Sequence, residues 1–107
     1  MTIVQTLSNL EAKANLHEDG TVTTSGRLAY GGDSHAVQYL LKDVTELFSN
    51  GHAFAALKDD GTVVTWGNRF FGGDSSSVQN DLINIETIIP KKYGFTAIKH
   101  DGTRISW

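Results

Sequence analysis

The segment Gly-Gly-Asp-Ser occurs twice in this sequence, at Gly31–Ser34 and Gly72–Ser75, and it offers the best candidates for chemistry. A carboxylate on a rigid corner can accept hydrogen bonds from sugar hydroxyls, and a neighbouring aromatic ring can supply an apolar platform. The two corners therefore predict ligand-binding loops made of Tyr30, Gly31, Gly32, Asp33, Ser34, Phe70, Phe71, Gly72, Gly73, Asp74 and Ser75. The alternative is structural, because glycine permits a sharp corner while aspartate and serine bond nearby backbone amides.

Signals for catalysis or metal binding are weaker. The histidines fall at four different positions of the repeat described below, so they do not indicate converging metal ligands: His17, His35, His52 and His100. One carboxylate per corner falls short of the roughly six to eight oxygens that Ca²⁺ takes. The sequence has no cysteine and no Gly-x-Ser-x-Gly segment. We expect no enzymatic activity, no metal site and no cofactor.

The composition argues against nucleic-acid and membrane partners. The 107 residues carry a formal net charge of −3, with a pI near 5.7. Nucleic-acid binders present a basic surface, and the basic pair Lys91-Lys92 is a small one. The N-terminal segment lacks the basic start and apolar run of a signal peptide, and no stretch approaches the roughly 20 apolar residues of a membrane span. A soluble protein is expected, and its compartment is left open.

A 41-residue repeat organises the chain. Asp-Gly occurs three times at this interval, at Asp19-Gly20, Asp60-Gly61 and Asp101-Gly102. Residues 3–43 and 44–84 share 18 identities in 41 positions, and residues 85–107 match 44–66 at seven of 23 positions. Such self-similarity is typical of repeat architectures. We predict one repeat domain over residues 1–107, with two full copies and a partial third.

Each copy has the pattern of short β-strands. In the second copy the β-rich runs VTELFS, HAFAALK and TVVTWG are separated by Asn-Gly and Asp-Asp-Gly. A two-residue turn at Asp60-Gly61 would pair Ala55 with Trp66 and Leu57 with Val64. One face would then carry Ala53, Ala55, Leu57, Val64 and Trp66, and its third-copy equivalent Gly94, Thr96, Ile98, Ile105 and Trp107. The residues expected to be structural are Gly20, Gly61, Gly102, Trp66 and Trp107.

Two features of the pattern leave alternatives open. The first hairpin is more polar than the others, with Ser25 where the second copy has Trp66 and Lys13 where it has Phe54. This difference fits either a terminal repeat that faces water or simple drift. The segment after each Gly-Gly-Asp-Ser corner fits either a short helix or a fourth strand.

Residues 49–73, SNGHAFAALKDDGTVVTWGNRFFGG, resemble the repeats of the regulator of chromosome condensation family. The shared pattern is a glycine-histidine pair, alternating small and apolar residues, Asp-Gly, and a β-run that ends in Trp-Gly. The chain is also similar to short bacterial relatives that repeat AALK, VVTWG and GGDS in tandem. The resemblance implies propeller blades and a packing role for His52 near the tryptophan. By analogy with the family's nucleotide-exchange member it also implies a regulator of a small GTPase, although no long insertion interrupts the repeat here.

The chain is too short for a closed propeller, which needs at least about four blades. We therefore predict an all-β fold of tandem, propeller-blade-like hairpins in an incomplete ring. Its partner would be itself, in a homo-oligomer that completes the ring, or the remainder of a longer repeat protein; a compact non-propeller β-fold is the third possibility. The predicted function is a non-catalytic binding and assembly module with a protein or glycan ligand. The alternatives are a carbohydrate-binding module that uses the corners and a small-GTPase regulator.

Overall fold

A computed structural model describes residues 2–107 as nine β-strands in three antiparallel sheets. The strands of the first sheet are β1 (Ile3–Ser8), β2 (Ala12–His17) and β3 (Val22–Gly26); those of the second are β4 (Val44–Ser49), β5 (Ala53–Lys58) and β6 (Val63–Gly67); those of the third are β7 (Ile85–Lys91), β8 (Gly94–Lys99) and β9 (Arg104–Ser106). Each sheet keeps its strands in chain order. The predicted all-β architecture of repeated hairpins is confirmed.

The two connectors, residues 27–43 and 68–84, contain 3-10 helices rather than a fourth strand. Their helical segments are Leu28–Tyr30, His35–Leu40, Arg69–Phe71 and Gln79–Asp81. The question that the sequence left open is thus resolved in favour of short helices. No helix among residues 2–107 has the length and apolarity to cross a bilayer.

The Asp60-Gly61 turn is longer than the sequence analysis assumed. Lys58 N donates to Thr62 O at 2.9 Å, and Gly61 N donates to Lys58 O at 3.0 Å, while Gly61 has φ of 83°. These bonds describe a turn that ends in a left-handed glycine, in which that residue forms a bulge. Asp60 stabilises the turn, because its carboxylate accepts hydrogen bonds from Thr62 N at 3.0 Å and Thr62 Oγ1 at 2.6 Å.

The predicted β5–β6 register is therefore wrong by one residue. Trp66 pairs with Phe54, not with Ala55, and Val64 pairs with Ala56. Because side chains alternate between faces, a one-residue shift moves a strand's side chains to the opposite face of the sheet. Trp66 and Val64 consequently lie on the Phe54 side of the sheet, apart from the predicted companions Ala53, Ala55 and Leu57. The third copy shows the same difference, with Ile105 opposite Ala97.

Two hydrophobic cores lie between the three sheets and join them. The first core joins one face of the first sheet to the second sheet, and its buried members are Ala12, Ala14, Leu16, Val22, Leu41, Val44, Leu47, Phe54, Ala56, Val64 and Trp66. The second core joins the other face of the second sheet to the third, with Ala53, Ala55, Leu57, Val63, Leu82, Ile85, Ile88, Phe95 and Ala97. The small alanines let neighbouring sheets approach a large aromatic ring closely. The second sheet is thus covered on both faces.

Successive copies are also joined by backbone hydrogen bonds at their turns. Val44 N donates to Gly20 O at 3.0 Å, and Ile85 N donates to Gly61 O at 2.9 Å. A side chain also joins the first two sheets. Gln5 Nε2 donates to Leu47 O at 3.0 Å, and Gln5 Oε1 accepts a hydrogen bond from Leu47 N at 2.8 Å. These bonds place the start of each copy beside the turn of the preceding one.

Candidate functional site

The first glycine corner docks onto the second sheet. The indole Nε1 of Trp66 donates to the carbonyl oxygen of Gly31 at 3.1 Å in a buried position. Gly31 has φ of 93°, and a Cβ atom there would lie 2.6 Å from the ring of Phe54. Only glycine fits this position, because other residues disfavour this φ and carry a Cβ atom that would collide with the ring.

The second corner repeats this arrangement 41 residues later. Trp107 Nε1 donates to Gly72 O at 3.0 Å, and a Cβ atom at Gly72 would lie 2.6 Å from the ring of Phe95. Four of the residues predicted from sequence as ligand-binding or structural thus make one kind of joint between copies. The glycines of the corners have a packing role in this arrangement.

The corner serines are buried and bonded within the protein. Ser34 Oγ lies 2.9 Å from Thr24 Oγ1 and donates to Gln38 Oε1 at 2.7 Å, and the amide of Gln38 donates to Val22 O at 2.8 Å. The second copy has the same chain of bonds through its own threonine, serine and glutamine, Thr65, Ser75 and Gln79. These polar side chains tie each connector to the third strand of its sheet.

The corner aspartates face solvent and cap the segment that follows. Asp33 Oδ1 accepts a hydrogen bond from His35 N at 2.8 Å, and Asp74 Oδ1 accepts one from Ser76 N at 2.9 Å. The hydroxyl and then the amide of Ser76 lower the pKa of Asp74 below its ordinary value, since both bonds favour the charged carboxylate. One carboxylate oxygen at each corner thus caps the backbone, and both side chains remain exposed.

Asp74 also lines a groove of about 550 Å³. Its lining includes Val37 and Leu40 of the first connector, Val63 and Val64 of β6, and polar residues of the second corner. It is the feature of the described chain that best fits a small ligand at the predicted loops.

An aromatic stack crosses one edge of the molecule. Tyr30 stacks on His52 with ring centroids 5.0 Å apart, His52 stacks on Phe71 at 3.9 Å, and Phe71 meets Tyr93 at 5.5 Å in a tilted arrangement. His52 therefore packs between two corner rings, while the ring stacked on Trp66 is that of Phe54. Sequence reasoning singled out Tyr30 and Phe71 but missed Tyr93. The available signal was that 30 and 71, and likewise 52 and 93, are each 41 residues apart.

Histidine, aspartate and glutamate side chains do not gather into groups of three or more that could hold a metal ion anywhere in residues 2–107. The corners offer hydrogen-bonding groups, the groove offers an apolar surface, and the stack offers aromatic faces.

Solved structures of other proteins share this fold. No protein-family model and no curated protein matches the chain. Among solved structures, yeast RCC1 (Prp20), crystallised with Kap60 bound, matches with a TM-score of 0.66 at 21% identity over 98% of this chain. Human WBSCR16 matches with a TM-score of 0.70 at 18% identity over 99% of this chain. The fold is that of RCC1-like β-propeller repeats.

These likenesses concern architecture. The chain spans 29% of the solved RCC1 chain and 33% of the solved WBSCR16 chain, so it is similar to about a third of each. Three sheets in open order agree with an incomplete propeller.

Proposed function

We propose that this chain is a non-catalytic binding and assembly module that pairs with a second copy of itself through the outward face of its third sheet. The observation that carries the proposal is the difference between the two end sheets, the first and the third. The outward face of the third sheet carries Ile89 and Ile98, whose second-copy equivalents Phe48 and Leu57 pack against the third sheet, whereas the outward face of the first sheet is polar.

The outward face of the third sheet consists of two cross-strand rows, Ile89-Thr96-Ser106 and Thr87-Ile98-Arg104. The equivalent rows of the second sheet are Phe48-Ala55-Thr65 and Glu46-Leu57-Val63. In the second sheet Ala55, Leu57 and Val63 belong to the core against the third sheet, and Phe48 packs on that core. Ile89 and Ile98 are left half-buried without such a neighbour, and covering them would remove apolar surface from water.

The outward face of the first sheet does not provide a complementary surface. Lys13 and Ser25 stand where the second sheet has Phe54 and Trp66, so this face lacks the ring and the indole N–H that receive a glycine corner. Its polarity fits the terminal-repeat interpretation of the first hairpin. Head-to-tail addition of copies is therefore disfavoured, and a two-fold pair that uses the same third-sheet face twice is favoured.

The similarity to a solved protein complex supports a role in protein binding. Yeast RCC1, which is similar in fold to this chain, was crystallised with Kap60 bound. A non-catalytic role agrees with the absence of a recognisable catalytic set in the sequence, and it stays a proposal for this chain.

The proposal is tested by the mass in solution of two variants, which carry the same new residue on the outward face of the third sheet and of the first sheet. Ile98→Lys places a charge in the proposed interface, where desolvation opposes pairing, and we expect a monomer. Thr23→Lys places the same charge on the outward face of the first sheet, and we expect a dimer. Sedimentation velocity measures both, and near-ultraviolet circular dichroism of the buried Trp66 checks that each variant is folded. Equal behaviour of the two folded variants would contradict the proposal.

Carbohydrate binding at the corners remains a second prediction, favoured by the groove beside Asp74. It is tested on a glycan array with the wild-type chain and the double variant Asp33→Ala with Asp74→Ala. Binding by the wild type that the double variant loses would support it, and equal binding by both would count against it. Regulation of a small GTPase likewise remains a prediction, to be tested by nucleotide release.

A further inference from the structure

One edge of the molecule carries four rings in a row, with exposed apolar side chains on the same turns and connectors; this set is called here the aromatic edge. Its members come from the first turn of each sheet and from the start of each connector: Leu10, Leu28, Tyr30, His52, Phe70, Phe71 and Tyr93. Leu10, Leu28, Phe70 and Tyr93 are exposed by 69, 71, 72 and 64%. They are half of the eight large hydrophobic side chains that residues 2–107 expose in this way. Clustered exposed apolar groups of this kind mark interaction sites.

The aromatic edge is held in place by the fold beneath it. Asn9 Nδ2 donates to Tyr30 O and Asn50 Nδ2 donates to Phe71 O, both at 2.6 Å. The Asn50 carboxamide oxygen also accepts hydrogen bonds from the amides of His52 and Ala53, at 3.0 and 2.9 Å. Turns and connectors are thus bonded together in two successive copies. A surface fixed before binding loses little conformational freedom when a partner docks.

Cations border these rings. The guanidinium of Arg69 lies 4.9 Å from the ring centroid of Phe70, and the ammonium of Lys92 lies 5.4 Å from that of Tyr93. Within residues 2–107 neither cation takes part in a salt bridge, whereas Arg27 pairs with Glu11 at 3.1 Å. Arg69 and Lys92 thus place two cations beside exposed rings on a chain whose net charge is −3. A carboxylate that reaches these rings would therefore meet a cation at short range.

We propose that the aromatic edge binds an acidic peptide segment of a partner protein, one in which a large apolar side chain is flanked by aspartate or glutamate. The apolar residue would lie against Phe70 and Tyr93, and the flanking carboxylates would pair with Arg69 and Lys92. Aromatic residues and arginine are the side chains that most often dominate binding energy at interfaces. This inference goes beyond the proposed pairing, because it uses a different surface and a different partner.

Two cations beside exposed rings also resemble features of single-stranded nucleic-acid binding. The peptide is favoured because the acidic net charge opposes a polyanion, which would extend beyond these two cations. A nucleic acid is therefore treated as the competing outcome of the experiment.

The experiment selects peptides from a random phage-displayed library of dodecamers on the immobilised full chain. We expect the enriched sequences to combine a large apolar residue with aspartate or glutamate. Synthetic versions of these sequences, with a fluorescent label, are then titrated with the protein in fluorescence anisotropy. A labelled single-stranded DNA oligonucleotide is titrated in parallel.

Variants locate the site. We expect the double variant Phe70→Ser with Tyr93→Ser to weaken peptide binding by about tenfold or more, as loss of central aromatic contacts does. The charge reversal Arg69→Glu with Lys92→Glu should weaken it similarly and make it less dependent on salt. The matched control is Tyr39→Ser, which removes an equally exposed aromatic ring on the first connector and should change nothing.

Any of three results would overturn the inference. One is the failure of any peptide to enrich; another is enrichment of basic or uncharged peptides. The third is tighter binding of the oligonucleotide than of every peptide, lost in the same variants. Because Ile98→Lys and the aromatic-edge variants change separate surfaces, failure of self-pairing and failure of peptide binding are distinguishable.

Discussion

The indole N–H of Trp66 donates to the carbonyl oxygen of Gly31, a residue 35 positions earlier that belongs to the preceding copy of the repeat. The same bond joins Trp107 to Gly72. Each glycine corner is therefore part of the joint between two sheets, and its position in the sequence follows from the position of the tryptophan that receives it. This relationship explains why the corner and the tryptophan recur at the same interval.

Gly31→Ala should be strongly destabilising. The new methyl group would meet the Phe54 ring, and the backbone would keep a φ that alanine disfavours, for a combined cost of about 3 kcal/mol. Gly102→Ala is the matched control, because Gly102 has a similar φ of 89° but nothing lies within 4 Å of an added Cβ. Its cost should be about 1 kcal/mol. Urea denaturation measures both, and similar losses would contradict the docking role of Gly31.

Trp66→Phe removes the indole donor and leaves the buried Gly31 carbonyl without that bond. We expect a loss of about 2 to 3 kcal/mol in the free energy of unfolding, from the unpaired carbonyl and the lost packing volume. Trp107→Phe should cost less, because Trp107 is half-buried and its bond to Gly72 is only partly buried. Thermal and urea unfolding give the comparison. A larger loss for Trp107→Phe would contradict the interpretation.

Stability should fall as the pH drops below about 4. Hydrogen bonds from Thr21 and Thr62 hold the pKa values of Asp19 and Asp60 below the ordinary value of 3.8. Bonds from Thr103 do the same for the pKa of Asp101. These carboxylates bind protons less readily in the folded chain than in the unfolded chain, so acid favours unfolding. Their contribution is present above pH 3.8 and is lost as the pH falls through the lowered values.

The triple variant Asp19→Asn, Asp60→Asn and Asp101→Asn tests this dependence. Asparagine keeps an oxygen that accepts the turn bonds, but it does not titrate. The variant should therefore lose less stability than the wild type between about pH 5 and about pH 3, the range in which carboxylates titrate. Urea midpoints at the two pH values supply the measurement. Identical pH dependence of the two proteins would show that the turn bonds are not responsible.

The repeat made most of this fold predictable. Matches at an interval of 41 residues located three units and the Asp-Gly turns, and β-rich runs between turn residues located the strands. The register failed because Asp60-Gly61 was treated as a complete turn, whereas Lys58 and Thr62 close it and Gly61 forms a bulge. Sequence gave no direct sign of this, since turns of both lengths use the same dipeptide.

The candidate site was only partly predictable, for a physical reason. The corner residues were identified from their recurrence, but their contacts lie with the next copy, as the bond from Trp66 to Gly31 shows. Long-range contacts of this kind depend on how sheets stack, which strand patterns alone do not specify. The same reason explains why the stacking of His52 on Phe71 was missed.

The mass of the wild-type chain in solution shows whether two third-sheet faces pair. Sedimentation equilibrium over a range of concentrations should show a species of about twice the 11.6 kDa of one chain, because two third-sheet faces cover each other. A folded species that keeps the mass of a single chain at every concentration would contradict the proposed pairing.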